Sequence, residues 1–98
     1  MFYTYIMASE RNGTLYAGST DDLPKRVHNH KHGAGSAFTA KYNVIRLIWF
    51  ESHETRDAAF RRERQIKEWR GAWKLRLIEE NNPDWRDLSD NLNDLLGF

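Results

Sequence analysis

The apolar positions of the chain change period along its length. Phe2–Ala8 (FYTYIMA) is rich in aromatic and β-branched residues, ends in the polar cluster Ser9–Gly13, and is followed by Thr14–Thr20 (TLYAGST), so the first twenty residues read as a β-hairpin. Asp21, Asp22 and Pro24 supply acidic first-turn residues and a helix-entry proline for a short helix that stops near Gly33. The small residues of Gly33–Tyr42 (GAGSAFTAKY) read as a loop at the mouth of a site. Val44–Glu51 (VIRLIWFE) is a nearly continuous apolar run, the pattern of a strand covered on both faces. From about Asp57 to Arg70 the period lengthens to that of a helix, capped by Thr55 and broken at Gly71, and Ala72–Asn81 resumes with Trp73, Leu77 and Ile78 on one side. Asn82, Pro83, Asp84 and Trp85 mark a turn, and Leu88, Leu92, Leu95 and Leu96 a short amphipathic helix.

Connection rules turn these elements into a topology. The hairpin makes strands one and two antiparallel, a helix carries the chain back, and strand three then runs antiparallel to strand one. The expectation is an α+β fold, a small three-stranded antiparallel sheet of order 2-1-3 flanked by helices. With 98 residues and no Pro/Gly-rich linker this is one domain, residues 1–88, with 89–98 as an amphipathic tail of the same domain.

One position breaks the helical pattern. The stripe Ala59, Glu63, Ile66, Trp69/Arg70, Trp73 puts a carboxylate on the same side as core residues. Burying an unpaired carboxylate costs several kcal/mol, roughly, so Glu63 must meet an arginine, a metal ion or a proton. The arginine alternative is a purely structural ion pair.

Charge sharpens the picture. The net charge of +1 hides a segregation: residues 1–24 carry −2, residues 25–76 carry thirteen Lys/Arg against five acids for +8, and residues 77–98 carry −5. A basic centre fits phosphate or nucleic acid as partner. There are no cysteines, which excludes disulfides and thiolate metal sites. No stretch of 18 apolar residues and no basic leader is present, so the expectation is a cytoplasmic protein without signal peptide or membrane partner.

Four further side chains converge with Glu63. Tyr5 and Tyr16 share a sheet face if Tyr5 stands opposite Tyr16, which requires Ala8 opposite Gly13 and Ser9–Asn12 as the loop. Arg26 and His30 stand one turn apart on the following helix and overhang the same sheet edge. Arginine offers a planar fork of donors for a phosphate, and histidine relays a proton near neutral pH. Taken singly, each has a bland reading as core aromatic or surface residue; their convergence is what points to a site.

With these residues in view the chain resembles the GIY-YIG nuclease family, in its small stand-alone branch, over Phe2 to about Leu88. The resemblance rests on YTYIMAS, GTLYAGSTDDLPKRVHNHK, FTAKY, RRERQIKEW and WKLRLIEENNPDWRDL. It places the GIY tyrosine at Tyr5, the YIG motif at Tyr16-Ala17-Gly18, the helix arginine at Arg26, the histidine at His30 and the metal-binding glutamate at Glu63. Tyr3, Thr4 and Ala17 replace the motif's spacers. It implies a divalent-metal-dependent endonuclease acting on phosphodiesters in DNA, structure-specific in repair or recombination, with Glu63 holding Mg²⁺ or Mn²⁺ and either tyrosine as base. Some members add an asparagine to the metal site, for which Asn81 and Asn82 are candidates. Lys41, Arg61, Arg62, Arg64, Lys67, Arg70 and Lys74 would follow the nucleic-acid backbone of a monomer needing no small-molecule cofactor.

Other features carry less. Trp49, Trp69, Trp73 and Trp85 suit core packing better than base stacking. In the trio His28, His30 and His32 only one-turn pairs share a helix face, and neither cysteine nor nearby acid completes a zinc set. His28-Asn29-His30 echoes another nuclease class by letters alone. The rival to an enzyme is a nucleic-acid-binding module that keeps the fold without cutting.

Overall fold

The computed structural model describes residues 1–97. Strands β1 (Phe2–Ala8), β2 (Leu15–Thr20) and β3 (Arg46–His53) form one antiparallel sheet of order β2-β1-β3, as the connection rules require. Between β2 and β3 lie helices α1 (Leu23–Lys31) and α2 (Ala37–Lys41); after β3 come α3 (Arg56–Glu68), α4 (Gly71–Asn81), a 3₁₀ turn at Leu88–Asn91 and α5 (Leu92–Leu96).

Central strand β1 is covered on both faces because its alternating side chains feed two cores. Tyr3, Tyr5 and Met7 pack with Leu23 and Val27 of α1, Val44, Leu47 and Leu92. Ile6 and Ala8 pack with Ile48, Trp49, Ile66, Ile78 and Trp85 beneath α3 and α4. The continuous apolar run of β3 has a specific cause: the pairing slips between Ile6/Trp49 and Met7/Leu47, so Ile48 is an extra residue that joins Trp49 in the second core. Thr55 caps α3 as the sequence suggests, accepting from the Ala58 amide at 3.1 Å, whereas Asp22, expected in the first turn of α1, lies just before it as the cap and accepts from the Lys25 amide at 3.1 Å. Gly33 ends α1 at φ +77, where a side chain would be strained.

The structure corrects four local expectations. Tyr5 stands opposite Gly18, and Tyr16 opposite Met7, with Ala8 opposite Leu15. The wider connection is held by the Ser9 amide on Thr14 O at 3.0 Å, the Thr14 amide on Ser9 Oγ at 2.9 Å, and Asn12 at φ +58. A shift by two keeps both phenols on one face, where a shift by one would have parted them. Second, Gly33–Tyr42 contains α2, whose Ser36 cap accepts from the Thr39 amide at 3.1 Å; five residues are too few to show a helical period. Third, the break after α3 lies in the extended residues Trp69 and Arg70, and Gly71 opens α4. Fourth, Trp73 is 60% exposed, because α4 turns Ile78 into the core with Leu75 and Leu77 packed against it, and leaves Trp73 outside. No helix among the described residues is long and apolar enough to cross a membrane.

Candidate active site

Each chemical side chain enters from a different element. Tyr5 comes from the middle of β1 and is fully buried, its ring lying across β2 at Gly18. A Cβ at Gly18 would stand 2.5 Å from Tyr5 Oη, so the strand must carry glycine there for the phenol to reach the sheet edge. Tyr16, half-buried on β2, sits beside it with ring centroids 6.4 Å apart. From α1, His30 is fully buried and closes the group, its ring 5.7 Å from that of Tyr5 and 5.3 Å from that of Tyr16. Arg26 lies one turn earlier on the same helix.

Hydrogen bonds fix which atom carries which proton. His30 Nε2 is 2.9 Å from Tyr5 Oη, and Nδ1 is 3.1 Å from Thr39 Oγ1. The Thr39 hydroxyl donates to the carbonyl of Ser36 at 3.2 Å, and so has only lone pairs to offer the imidazole. Nδ1 therefore donates to Thr39, Nε2 is left as acceptor, and Tyr5 donates to it. Burial and the positive charge of Arg26 hold the His30 pKa below 6.5, favouring this neutral form. Tyr5 is pushed strongly upward by burial, then by Tyr16 and Glu63, with Arg26 pulling the other way. The resting state is a neutral phenol donating to a neutral imidazole.

Glu63 approaches from α3, which packs along β1 and β2. Its side chain is only 12% exposed, and Oε2 accepts from Lys67 Nζ at 2.9 Å. The ammonium also lies 5.8 Å from the centroid of Tyr16, so Lys67 links the carboxylate to the phenol pair. An Arg26–Glu63 ion pair, the structural alternative, is absent among the described residues; the inward acid has found a lysine one helical turn away.

A divalent cation finds one hard oxygen donor here. Among the described residues no group of three or more metal-ligating side chains exists, so a closed protein cage for zinc is not offered. A single carboxylate suits an ion such as Mg²⁺ or Mn²⁺ that keeps most of its waters, but Glu63 is here occupied by Lys67. Asn82 takes no part. Its amide donates to Ile48 O at 3.0 Å and Arg86 O at 2.8 Å, and its oxygen accepts from the Arg86 amide at 3.0 Å. Asn81 turns back onto Leu77 O of its own helix at 2.9 Å.

The residues assigned to nucleic acid separate into groups. Lys41, Arg64 and Arg70 are exposed, Lys67 and Lys74 flank Tyr16, and Arg61 is paired with Asp57 on the surface. Arg62 is occupied elsewhere: its Nε is 3.2 Å from Glu51, and its guanidinium lies over Trp69 and Trp49 at 5.2 and 5.9 Å. Trp49 and Trp85 are core residues. His28 and His32 are exposed, their rings 4.2 Å apart, while His30 between them turns inward. Sequence reasoning missed Thr39, Gly35 and the Lys67 contact. The small residues before Tyr42 were the only signal for the first two: a Cβ at Gly35 would collide with the His30 imidazole.

The family model described as the GIY-YIG catalytic domain matches residues 1–76. The chain belongs to the GIY-YIG family. This is a nuclease family, so the arrangement of Tyr5, Tyr16, Arg26, His30 and Glu63 is set in a fold used for phosphodiester chemistry. The chain is similar to UPF0213 proteins of Staphylococcus aureus strains Mu3 and Mu50, each 36% identical over 78 residues, covering 80% of this chain and 94% of the relative. The solution NMR structure of a UPF0213 protein from Bacillus halodurans is similar in fold, with a TM-score of 0.55 and 24% identity, covering 93% of this chain and 97% of that one. These likenesses place the chain in the small stand-alone branch.

Proposed function

We propose that this protein is a divalent-metal-dependent endonuclease that hydrolyses phosphodiesters in DNA. The observation that carries the reading is the convergence, at one sheet edge, of the Tyr5–His30 hydrogen bond, the Arg26 charge and the mostly buried carboxylate of Glu63. Glu63 would hold the Mg²⁺ or Mn²⁺, which when bound neutralises charge on the phosphate and polarises its oxygen. Arg26 offers its donor fork to a non-bridging oxygen and stabilises the charge that builds there.

Proton movement follows from the resting hydrogen bonds. A neutral phenol is a poor base near pH 7. Tyr5, sealed from solvent, can nevertheless accept a proton from an attacking water once the sheet edge at Gly18 opens to the substrate, while passing its own to His30 Nε2. The water oxygen bonds to phosphorus, the bond to the leaving nucleoside oxygen breaks and that oxygen takes up a proton from solvent, and the imidazolium formed at His30, itself sealed from solvent, passes its proton back through Tyr5 Oη. Tyr16, half-exposed in the cleft, orients the water. With a cation on Glu63, the Lys67 ammonium would be free to meet a phosphate.

The test is a nicking assay with and without Mg²⁺ on branched, flapped and single-stranded DNA, comparing wild type with Glu63→Ala. Divalent-dependent hydrolysis that disappears in the variant is expected. Salt-sensitive binding without hydrolysis by the wild type would overturn the enzyme in favour of a binding module.

A further inference from the structure

Beside the phenols, sharing Tyr16 and Lys67 with the site, lies a concavity of about 250 Å³. Its floor is apolar, formed by Leu15 on β2 and Ile66 on α3. The rings of Tyr16 and Phe38, with centroids 6.2 Å apart, stand on one side, and Lys67 and Lys74 line it as well. Phe38 is 42% exposed although an apolar recess adjoins it, and it carries on into Tyr42 at a centroid distance of 4.9 Å. A flat apolar recess with a free aromatic ring and two cations suits a ligand that is planar and apolar on its faces and anionic at its edges.

The size narrows the occupant. Pockets for drug-sized ligands measure roughly 300–1,000 Å³, so this one is suited to a single ring system. Its position narrows it further, because Lys67 touches both the recess and Glu63. An occupant of the recess would sit beside the group that Glu63 handles.

We propose that the recess between Phe38 and Lys74 receives an unpaired nucleobase of the nucleotide beside the scissile phosphate, with Lys67 and Lys74 gripping the phosphates around it. This rests on the nucleic-acid reading of the same site and names its substrate: a strand in which that base is free to leave the stack, as in single-stranded or flapped DNA. A base within an intact duplex is paired and stacked on its neighbours and cannot enter. Stacking on an aromatic side chain tolerates any base, so the recess selects an unpaired state and not a sequence.

The experiment uses the full chain in EDTA, where binding is read without cleavage. Single-stranded oligonucleotides carry 2-aminopurine or an abasic nucleotide at each position in turn. One position is expected to show strong quenching of 2-aminopurine, and an abasic nucleotide there to weaken binding about tenfold or more, while the same change elsewhere has little effect. Phe38→Leu keeps the apolar volume of α2 and is expected to lose both the quenching and the sensitivity to the abasic nucleotide; Phe38→Trp is expected to restore them. Uniform abasic effects along the strand, an undiminished response in Phe38→Leu, equal quenching in a fully paired duplex, or no saturable binding would each overturn the proposal. Positional quenching in a protein that never cleaves DNA would keep the base recess and discard the nuclease, so the two readings fail separately.

Discussion

At the scale of single residues, the site depends on who supports His30. Thr39 Oγ1 accepts from Nδ1, and the direction of that bond decides that Nε2 faces Tyr5 as an acceptor. Thr39→Val keeps the shape and deletes the acceptor. It should cost about 1–3 kcal/mol in urea unfolding, because the imidazole N–H is left unsatisfied in the interior. Nitrogen-15 NMR of His30 should then show a mixture of tautomers, whereas Thr39→Ser keeps one. The same imidazole sets a pH dependence. Its folded pKa lies below the unfolded value, so between the two the unfolded state binds more protons and stability rises with pH. The contribution is complete above about pH 6.5 and declines as pH falls through the window below it. Urea midpoints measured in steps from pH 7.5 to 5 should show this slope, and His30→Gln should flatten it. The elements that carry Tyr5, Tyr16, Arg26, His30 and Glu63 were legible because each residue falls on its own local signal, a strand alternation or a helical turn. Thr39 was not, since nothing in a run of small residues marks which hydroxyl meets an imidazole nine positions away.

Between elements, two clamps hold α1 and α4 in position against β3. Lys31 at the end of α1 donates to Ile45 O at 2.9 Å and to Asp87 Oδ2 at 2.6 Å. The other carboxylate oxygen of Asp87 accepts from the Leu47 amide at 3.2 Å, the Ser89 amide at 3.0 Å and Ser89 Oγ at 2.7 Å. Burial alone would raise the Asp87 pKa, but the hydrogen bonds from Lys31 and Ser89 outweigh it and hold the carboxyl below its usual value. Asp87→Ala should therefore lower stability by about 1–3 kcal/mol at pH 7, the half-exposed lysine reducing the Coulomb share. Because α1 carries Arg26 and His30, Tyr5-to-His30 geometry should loosen too, visible as a weaker tautomer preference in NMR. The second clamp is Asn82, which closes the turn after α4 onto Ile48 O. Neither clamp was legible. Lys31 and Asp87 are 56 positions apart, and their pairing follows only from where the tail crosses the end of β3.

For the molecule as a whole, the basic centre of the sequence leaves Lys41, Arg64 and Arg70 exposed, while Lys67 and Lys74 line the recess beside Tyr16. Binding to single-stranded DNA should weaken as salt rises, and each phosphate contact removed should reduce the logarithmic salt slope by about 0.7. Lys41→Ala, Arg64→Ala and Arg70→Ala, titrated singly between 50 and 200 mM salt, check this; Arg61→Ala, paired with Asp57, should change the slope less. Sequence alone determined the strand order, the longer helices and the elements that carry Tyr5, Tyr16, Arg26, His30 and Glu63, because hydrophobic period, caps and connection rules are local and nearly independent of one another. Tertiary structure decided the hairpin register, the lysine that holds Glu63, the exposure of Trp73 and the hydroxyl behind His30. Those outcomes turn on which surfaces exclude each other in a packed interior, and a two-residue shift or a half-turn of a helix leaves the pattern along the chain unchanged.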